Sequence, residues 1–330
     1  MAGPKVPRGR WDLRHYMPVR AARTMAAAID KEDTMVERVT VAVDGGPASR
    51  AALAWAIHRA RTVKLYLEIT AVVGLDADLP GGDESAYRTP LEDALEEARA
   101  AVRAEAPHVA VTTKLRHGVP HEALIRASLH CDLLVIGTNK TSPVAGIVHG
   151  TLPLKVAGRS ECITVVVPFD WEPSEGAVVA GWVDDPTAED ALDFAADEAA
   201  RRDATLCVVS TWTVPPLSPM DSAGSALLVE QIIAASTQLL SGATQRVRLA
   251  HPSLTIAQRT QAGPAAVAIV QAAAGAALVV VGSRGRGAIA GLLLGSVSHD
   301  LLLNMPAPVA VVPRKEEPVD VYPDLVDDDV

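Results

Sequence analysis

The sequence predicts an α/β fold built twice, as two tandem, doubly wound parallel sheets of five strands each. Three observations predict it. Short apolar runs such as "DLLVIG" (Asp132–Gly137) and "ALVVVG" (Ala277–Gly282) are continuous rather than alternating, which suits strands buried on both faces of a parallel sheet. Alanine-rich stretches of helical period separate these runs and are long enough for right-handed crossovers. The chain also echoes itself. "VERVTVAVDGGPASRAALAWAIHRA" (Val36–Ala60) returns as "GAVVAGWVDDPTAEDALDFAADEAA" (Gly176–Ala200), and "HGVPHEALIRASLHCDLLVIGTNK" (His117–Lys140) as "AGPAAVAIVQAAAGAALVVVGSRG" (Ala262–Gly285). A period this long means duplicated domains rather than a solenoid.

The elements follow in order. Residues 1–34 form a basic segment expected to be disordered, with Lys5, Arg8, Arg10, Arg14, Arg20 and Arg23 against Asp12. A first domain is expected over 35–169, opening with an apolar strand that ends at Asp44. The proline-broken, acidic "PFDWEPSEG" (Pro168–Gly176) reads as the linker. In the second domain, 170–314, strands are expected near Val178–Val183, Thr205–Thr211, Thr255–Thr260, Ala277–Val281 and Val309–Val312. Residues 315–330 are an acidic tail, read as a solvated, disordered end.

Composition narrows the function classes. The 330 residues are 49% apolar, enough for two cores, and aromatics are only 3%, so packing relies on small and branched aliphatics. A formal charge of −10 argues against nucleic acid as the main partner. No continuous run approaches the ~18 apolar residues of a membrane span, and "TMAAAI" is too short for a signal-peptide core, so a cytoplasmic protein without a membrane partner is expected. Cys131, Cys162 and Cys207 lack the short spacings of a zinc site or disulfide framework and read as buried thiols. The scattered histidines lack metal-helix spacing, so no protein side chain is expected to hold a metal. His299 and Asp300 crowd one helix turn with Ser296, unlike the separated members of a catalytic triad.

Chemistry concentrates in "GSRGRGAIAGLLLGS" (Gly282–Ser296), which leaves the carboxyl end of an apolar strand. With strand order 3-2-1-4-5, strands one and four flank the crevice where open sheets bind ligands, so Asp184 and this loop should face each other. Gly282 and Gly285 let backbone N–H groups approach an anion, and Gly295-Ser296 opens a helix whose free N–H groups favour phosphate. The plainer reading, a turn plus a helix cap, explains Gly295-Ser296 but not the pair at Gly282 and Gly285. In the first half, Asp44, Gly137, Gly150 and Thr151 take the corresponding places, with Asp44 and Asp184 140 residues apart. Lys140 stands where Gly285 does, and weakened or absent binding is expected there.

Gly282-x2-Gly285-x9-Gly295-Ser296, after a buried strand and before "APVAVVPR", resembles the ATP-binding motif of the universal stress protein family. "VTVAVDGGPASRAALAWA" resembles that family's first strand and helix. The resemblance spans Val36–Arg314 and implies a Rossmann-like fold of the adenine-nucleotide-binding type. It implies ATP, usually with Mg2+, held by Asp184 at the ribose, by Gly282, Gly285, Gly295, Ser296 and Val297 at the phosphates, and by backbone near Thr211 at the adenine. It also implies pairing through edge strands, here 163–167 and 308–312, either against each other or in a homo-oligomer. The function implied is a nucleotide-dependent regulator or stress-response factor acting through an unidentified protein partner. Dedicated catalysis is not expected, since no general base or nucleophile accompanies the glycine loop, and slow ATP hydrolysis stays open. The alternative is an interaction scaffold with a vestigial site, motivated by Lys140 and by Asp185, which adds charge near the expected nucleotide.

Overall fold

In the computed structural model, residues 36–74, 84–139, 152–213, 222–283 and 294–314 are described. The first half runs β1 (Glu37–Ala42), α1 (Pro47–Arg59), β2 (Leu65–Val73), α2 (Glu84–Glu105), β3 (Ala110–His117), α3 (Pro120–Ser128), β4 (Leu133–Thr138), α4 (Leu152–Ala157) and β5 (Ile163–Pro168). The second repeats it as β6 (Val178–Gly181), α5 (Pro186–Arg201), β7 (Leu206–Trp212), α6 (Ser222–Ala250), β8 (Ile256–Ala262), α7 (Ala265–Ala272), β9 (Leu278–Gly282), α8 (Ser296–Leu303) and β10 (Val309–Val312). The expected disordered ends, 1–34 and 315–330, lie outside the described residues.

The strand order is β3-β2-β1-β4-β5-β10-β9-β6-β7-β8, so each half has the expected order 3-2-1-4-5. The two sheets are not separate. β5 and β10 pair antiparallel, with Val165 opposite Ala310, and join them into one ten-stranded sheet. All other neighbours are parallel. The edge strands 163–167 and 308–312 thus meet within one chain. Because they run in opposite directions, the carboxyl ends of the two halves lie on opposite rims of the sheet.

Helices cover both faces. One core joins Trp55 of α1, Leu95 of α2, Leu192 of α5 and Leu240 of α6 to Leu67, Val178 and Leu206 of the sheet. The other joins Leu124 of α3, Val156 of α4, Ile269 of α7 and Leu301 of α8 to Leu134, Val166 and Val279. On α5, Ala188, Ala191, Ala195, Ala196 and Ala199 are all buried; methyl side chains let this helix lie close to the strands. Helix α6 adds a feature that a search for continuous apolar runs does not detect. Over Ala226–Ala250 it is long and apolar enough to span a membrane by length and composition, and only 11% of its most apolar window is buried. Polar Glu230, Gln231 and Gln238 interrupt it, which is why no continuous apolar run is visible there.

A buried charge cluster ties the halves together. Arg59, at the end of α1, forms a two-pronged contact with Glu198 of α5: Nη1 donates to Oε2 at 2.7 Å and Nη2 to Oε1 at 2.8 Å. Its Nε also donates to Glu37 Oε2 at 2.7 Å, while Arg201 and Arg202 donate to Glu198. Both Arg59 and Glu198 are 1% exposed. Burial opposes the charge on Glu198, but the charge and hydrogen bonds of Arg59, helped by Arg202 and Arg201, pull its pKa down to about 2.

Candidate nucleotide-binding crevices

In the second half, β9 ends at Gly282 and α8 begins at Ser296, with residues 284–293, including Gly285, outside the described ones. Two hydrogen bonds hold the helix start against the strand end. Gly295 N–H donates to the Ser283 carbonyl at 2.7 Å, and the Ser298 hydroxyl donates to the Gly282 carbonyl at 2.6 Å. Gly295 is the residue before the helix, in extended backbone, and no side chain caps the first turn. The first turn of a helix has no internal acceptors for its N–H groups. Ser296 and Val297 therefore present N–H groups at this end, whereas the Gly295 N–H is already used. Ser298, which sequence reasoning passed over, is 3% exposed and fastens the arrangement. Replacing Ser298 with alanine should leave the Gly282 carbonyl without that donor and cost about 1–2 kcal/mol, read as a lower midpoint in urea denaturation.

Asp184 reaches the same rim, since β6 lies beside β9, but its equivalence to Asp44 needs correcting by one position. The register is fixed by matching hydrogen bonds: Val43 N–H to Thr70 O in one half, Trp182 N–H to Val209 O in the other. The prolines opening α1 and α5, Pro47 and Pro186, agree. Val183 thus takes the place of Asp44, and Asp184 takes that of Gly45, whose φ is +80°. Asp185 is the cap of α5, its Oδ1 accepting the Thr187 N–H at 2.9 Å, so its charge serves the helix dipole. Trp182, a candidate border of the adenine pocket, is 7% exposed in the core and donates its indole N–H to Glu189. Thr211 lies half-buried near the end of β7, opposite Gln261. Its counterpart in the first half is Val72.

In the first half, Asp44, Thr70, Val72, Gly137, Thr138 and Leu152 line a cavity of about 370 Å³ at the carboxyl rim. This is within the usual range for a small-molecule site. Asp44 is oriented by an Asx turn, its Oδ1 accepting the Gly46 N–H at 2.8 Å, while its own N–H meets the Ser49 hydroxyl at 3.3 Å. Thr70 accepts from Arg116 Nε at 2.9 Å. Burial opposes the charge on the neighbouring Glu68, yet hydrogen bonds from Lys114 and Arg116 hold its carboxyl below the usual range. Gly137 has a reason of its own: a Cβ there would lie 2.0 Å from the Ala48 carbonyl oxygen, so the glycine lets α1 pack on β4. Lys140, Gly150 and Thr151 lie outside the described residues.

The model of the universal stress protein family matches residues 35–168 and again 178–313. The chain belongs to the universal stress protein family. It is a tandem member, and its relatives are tandem as well in extent. Universal stress protein Rv2005c of Mycobacterium tuberculosis (strain ATCC 25618 / H37Rv) is 27% identical over 287 residues, covering 83% of this chain and 96% of its own length. Universal stress protein Rv2623 of the same strain is 28% identical over 291 residues, covering 83% and 95%. Among solved structures, a universal stress protein from Archaeoglobus fulgidus DSM 4304 covers 85% of this chain and 100% of its own, with a TM-score of 0.60 at 17% identity. A functionally unknown protein, PA1789, from Pseudomonas aeruginosa PAO1 covers 84% and 93%, with a TM-score of 0.57 at 18% identity. These structural likenesses bear on the fold of the tandem universal stress chain.

Proposed function

We propose that this universal stress protein binds ATP, with Mg2+ held by the nucleotide, and acts as a nucleotide-dependent stress-response regulator rather than a dedicated catalyst. The observation that carries the reading is the start of α8. Gly295 is drawn against Ser283 at the end of β9, so the N–H groups of Ser296 and Val297 open onto the carboxyl rim. Such N–H groups and the positive end of the helix dipole suit phosphate. Gly282 and Gly285 would let the phosphates approach the backbone, Thr211 would meet the adenine, and Asp184 would reach the ribose from one position later in the turn.

Two observations favour other readings. Asp44 and Gly137 border a first-domain cavity with the ribose carboxylate in register, which supports that half as the nucleotide site, completed by Gly150 and Thr151. Val183 in the place of Asp44 supports the scaffold with a vestigial second site. Titration calorimetry of the full chain with Mg-ATP separates all three. Gly295 has backbone angles open to any residue, so Gly295→Ala places a methyl at the phosphate end at little backbone cost. A single site weakened at least about tenfold by Gly295→Ala and untouched by Asp44→Ala supports the second domain. The reverse pattern assigns the first domain, and no binding heat leaves the scaffold.

A further inference from the structure

Cys131 and Cys162 are 31 residues apart in sequence and neighbours in space. They lead into adjacent strands: β4 and β5 pair Leu133 with Ile163, and Cys131 stands two residues before the former while Cys162 stands one before the latter, so the two are diagonal neighbours staggered by one residue. Their sulfurs are 3.5 Å apart. Neighbouring strands run ~4.8 Å apart and one residue of stagger adds ~3.3 Å along them, a diagonal of ~5.8 Å that falls inside the ~4.4–6.8 Å separation of α-carbons a disulfide spans. Bond formation at ~2.05 Å therefore asks each sulfur to move by less than ~1 Å, which small side-chain rotations supply. Both thiols are 8% exposed and both line a broad cavity of about 1090 Å³, bordered also by Asp132, Ser160, Ser283 and Arg314. A small solute thus has a route to the pair.

We infer that Cys131 and Cys162 are an oxidisable dithiol, closed to an intramolecular disulfide by a hydroperoxide while the chain stays folded. The two sulfurs have different roles. The hydrogen bond from Cys162 draws the Cys131 thiol below its ordinary value against the opposing effect of burial. The same hydrogen bond, with burial, pushes Cys162 up, so Cys162 keeps its proton. The Cys131 thiolate attacks one peroxide oxygen; an S–O bond forms, the O–O bond breaks, and the leaving hydroxide takes up the proton released by Cys131 to become water. The Cys162 sulfur then attacks the Cys131 sulfenic acid. The S–S bond forms, the S–O bond breaks, and hydroxide leaves with the Cys162 proton as a second water. Two thiols are oxidised and one hydrogen peroxide is reduced. Cys207, 6% exposed on β7 with its thiol raised by burial, provides an internal reference.

The test is peptide mapping of the reduced full chain after brief treatment with hydrogen peroxide and alkylation. The expected product is one cross-linked peptide pair joining Cys131 to Cys162, with an intact mass lower by two hydrogens and Cys207 still alkylated. Cys131 should react at least ~10-fold faster than Cys207. In Cys162→Ser, dimedone should trap a sulfenic acid at Cys131. Equal rates at Cys131 and Cys207, a bridge involving Cys207, or over-oxidation of Cys131 without a bridge would each overturn the inference. The wild-type map decides the matter even if the variant does not fold.

Discussion

Arg59→Met should be among the most destabilising single changes in this chain, costing about 3–5 kcal/mol in chemical denaturation at neutral pH. The side chain fills similar space, so the loss is electrostatic. Glu198 would keep its charge at 1% exposure with only Arg201 and Arg202 beside it, and Glu37 would lose its partner. Restoring neutrality with Arg59→Met and Glu198→Met together should recover much of the loss, because a well-packed apolar pair often matches a buried ion pair. A surface pair behaves differently: Arg88–Glu92, each 48% exposed, should be worth less than about 1 kcal/mol. The pH dependence has a definite sign. Glu198 titrates at about 2 in the folded chain, below its unfolded value near 4.5, so its contribution is full above that unfolded value and is lost as pH falls toward 2. In Arg59→Met this acid limb should flatten, measurable as midpoint against pH.

Gly137→Ala should be nearly as damaging. Its Cβ would meet the Ala48 carbonyl oxygen at 2.0 Å and carbonyl carbon at 2.3 Å, both backbone atoms that no rotamer can move. Helix α1 and strand β4 would have to separate, at a cost of about 3 kcal/mol, the upper end of ordinary overpacking. Gly242 in α6 is the matched control. A Cβ there meets nothing within 4 Å, so Gly242→Ala should stabilise by up to about 1 kcal/mol. If Gly137→Ala unfolds at the wild-type midpoint, packing does not explain that glycine and contact with a ligand becomes the better account.

Much of the architecture was legible because burial on both faces writes itself into continuous runs such as "LVVVG" of β9. The repeat revealed the duplication, and the strand order 3-2-1-4-5, a premise of the sequence reading, is the order each half has. What was not legible is tertiary. The shift of Asp184 against Asp44 is invisible when two aspartates each follow an apolar strand, yet Pro47 and Pro186, one residue out of step with them, carried the signal. Gly137 reads like a phosphate glycine, and only the neighbouring Ala48 carbonyl shows what it makes room for. The nearness of Cys131 and Cys162 and the pairing of Arg59 with Glu198 depend on strand adjacency and on the union of the two sheets, which local pattern does not encode.

Residues Arg59 and Glu198 stand 139 apart, the same interval that separates Pro47 from Pro186, so they occupy one and the same place in the two repeats. A place that touches its own counterpart lies on the twofold axis relating the halves, as Val165 and Ala310 do in the sheet. Between two copies of the first repeat, guanidinium would confront guanidinium; between two copies of the second, carboxylate would confront carboxylate. Covalent linkage has let the axis carry opposite signs, and the repeats are thereby made mates for each other and strangers to themselves.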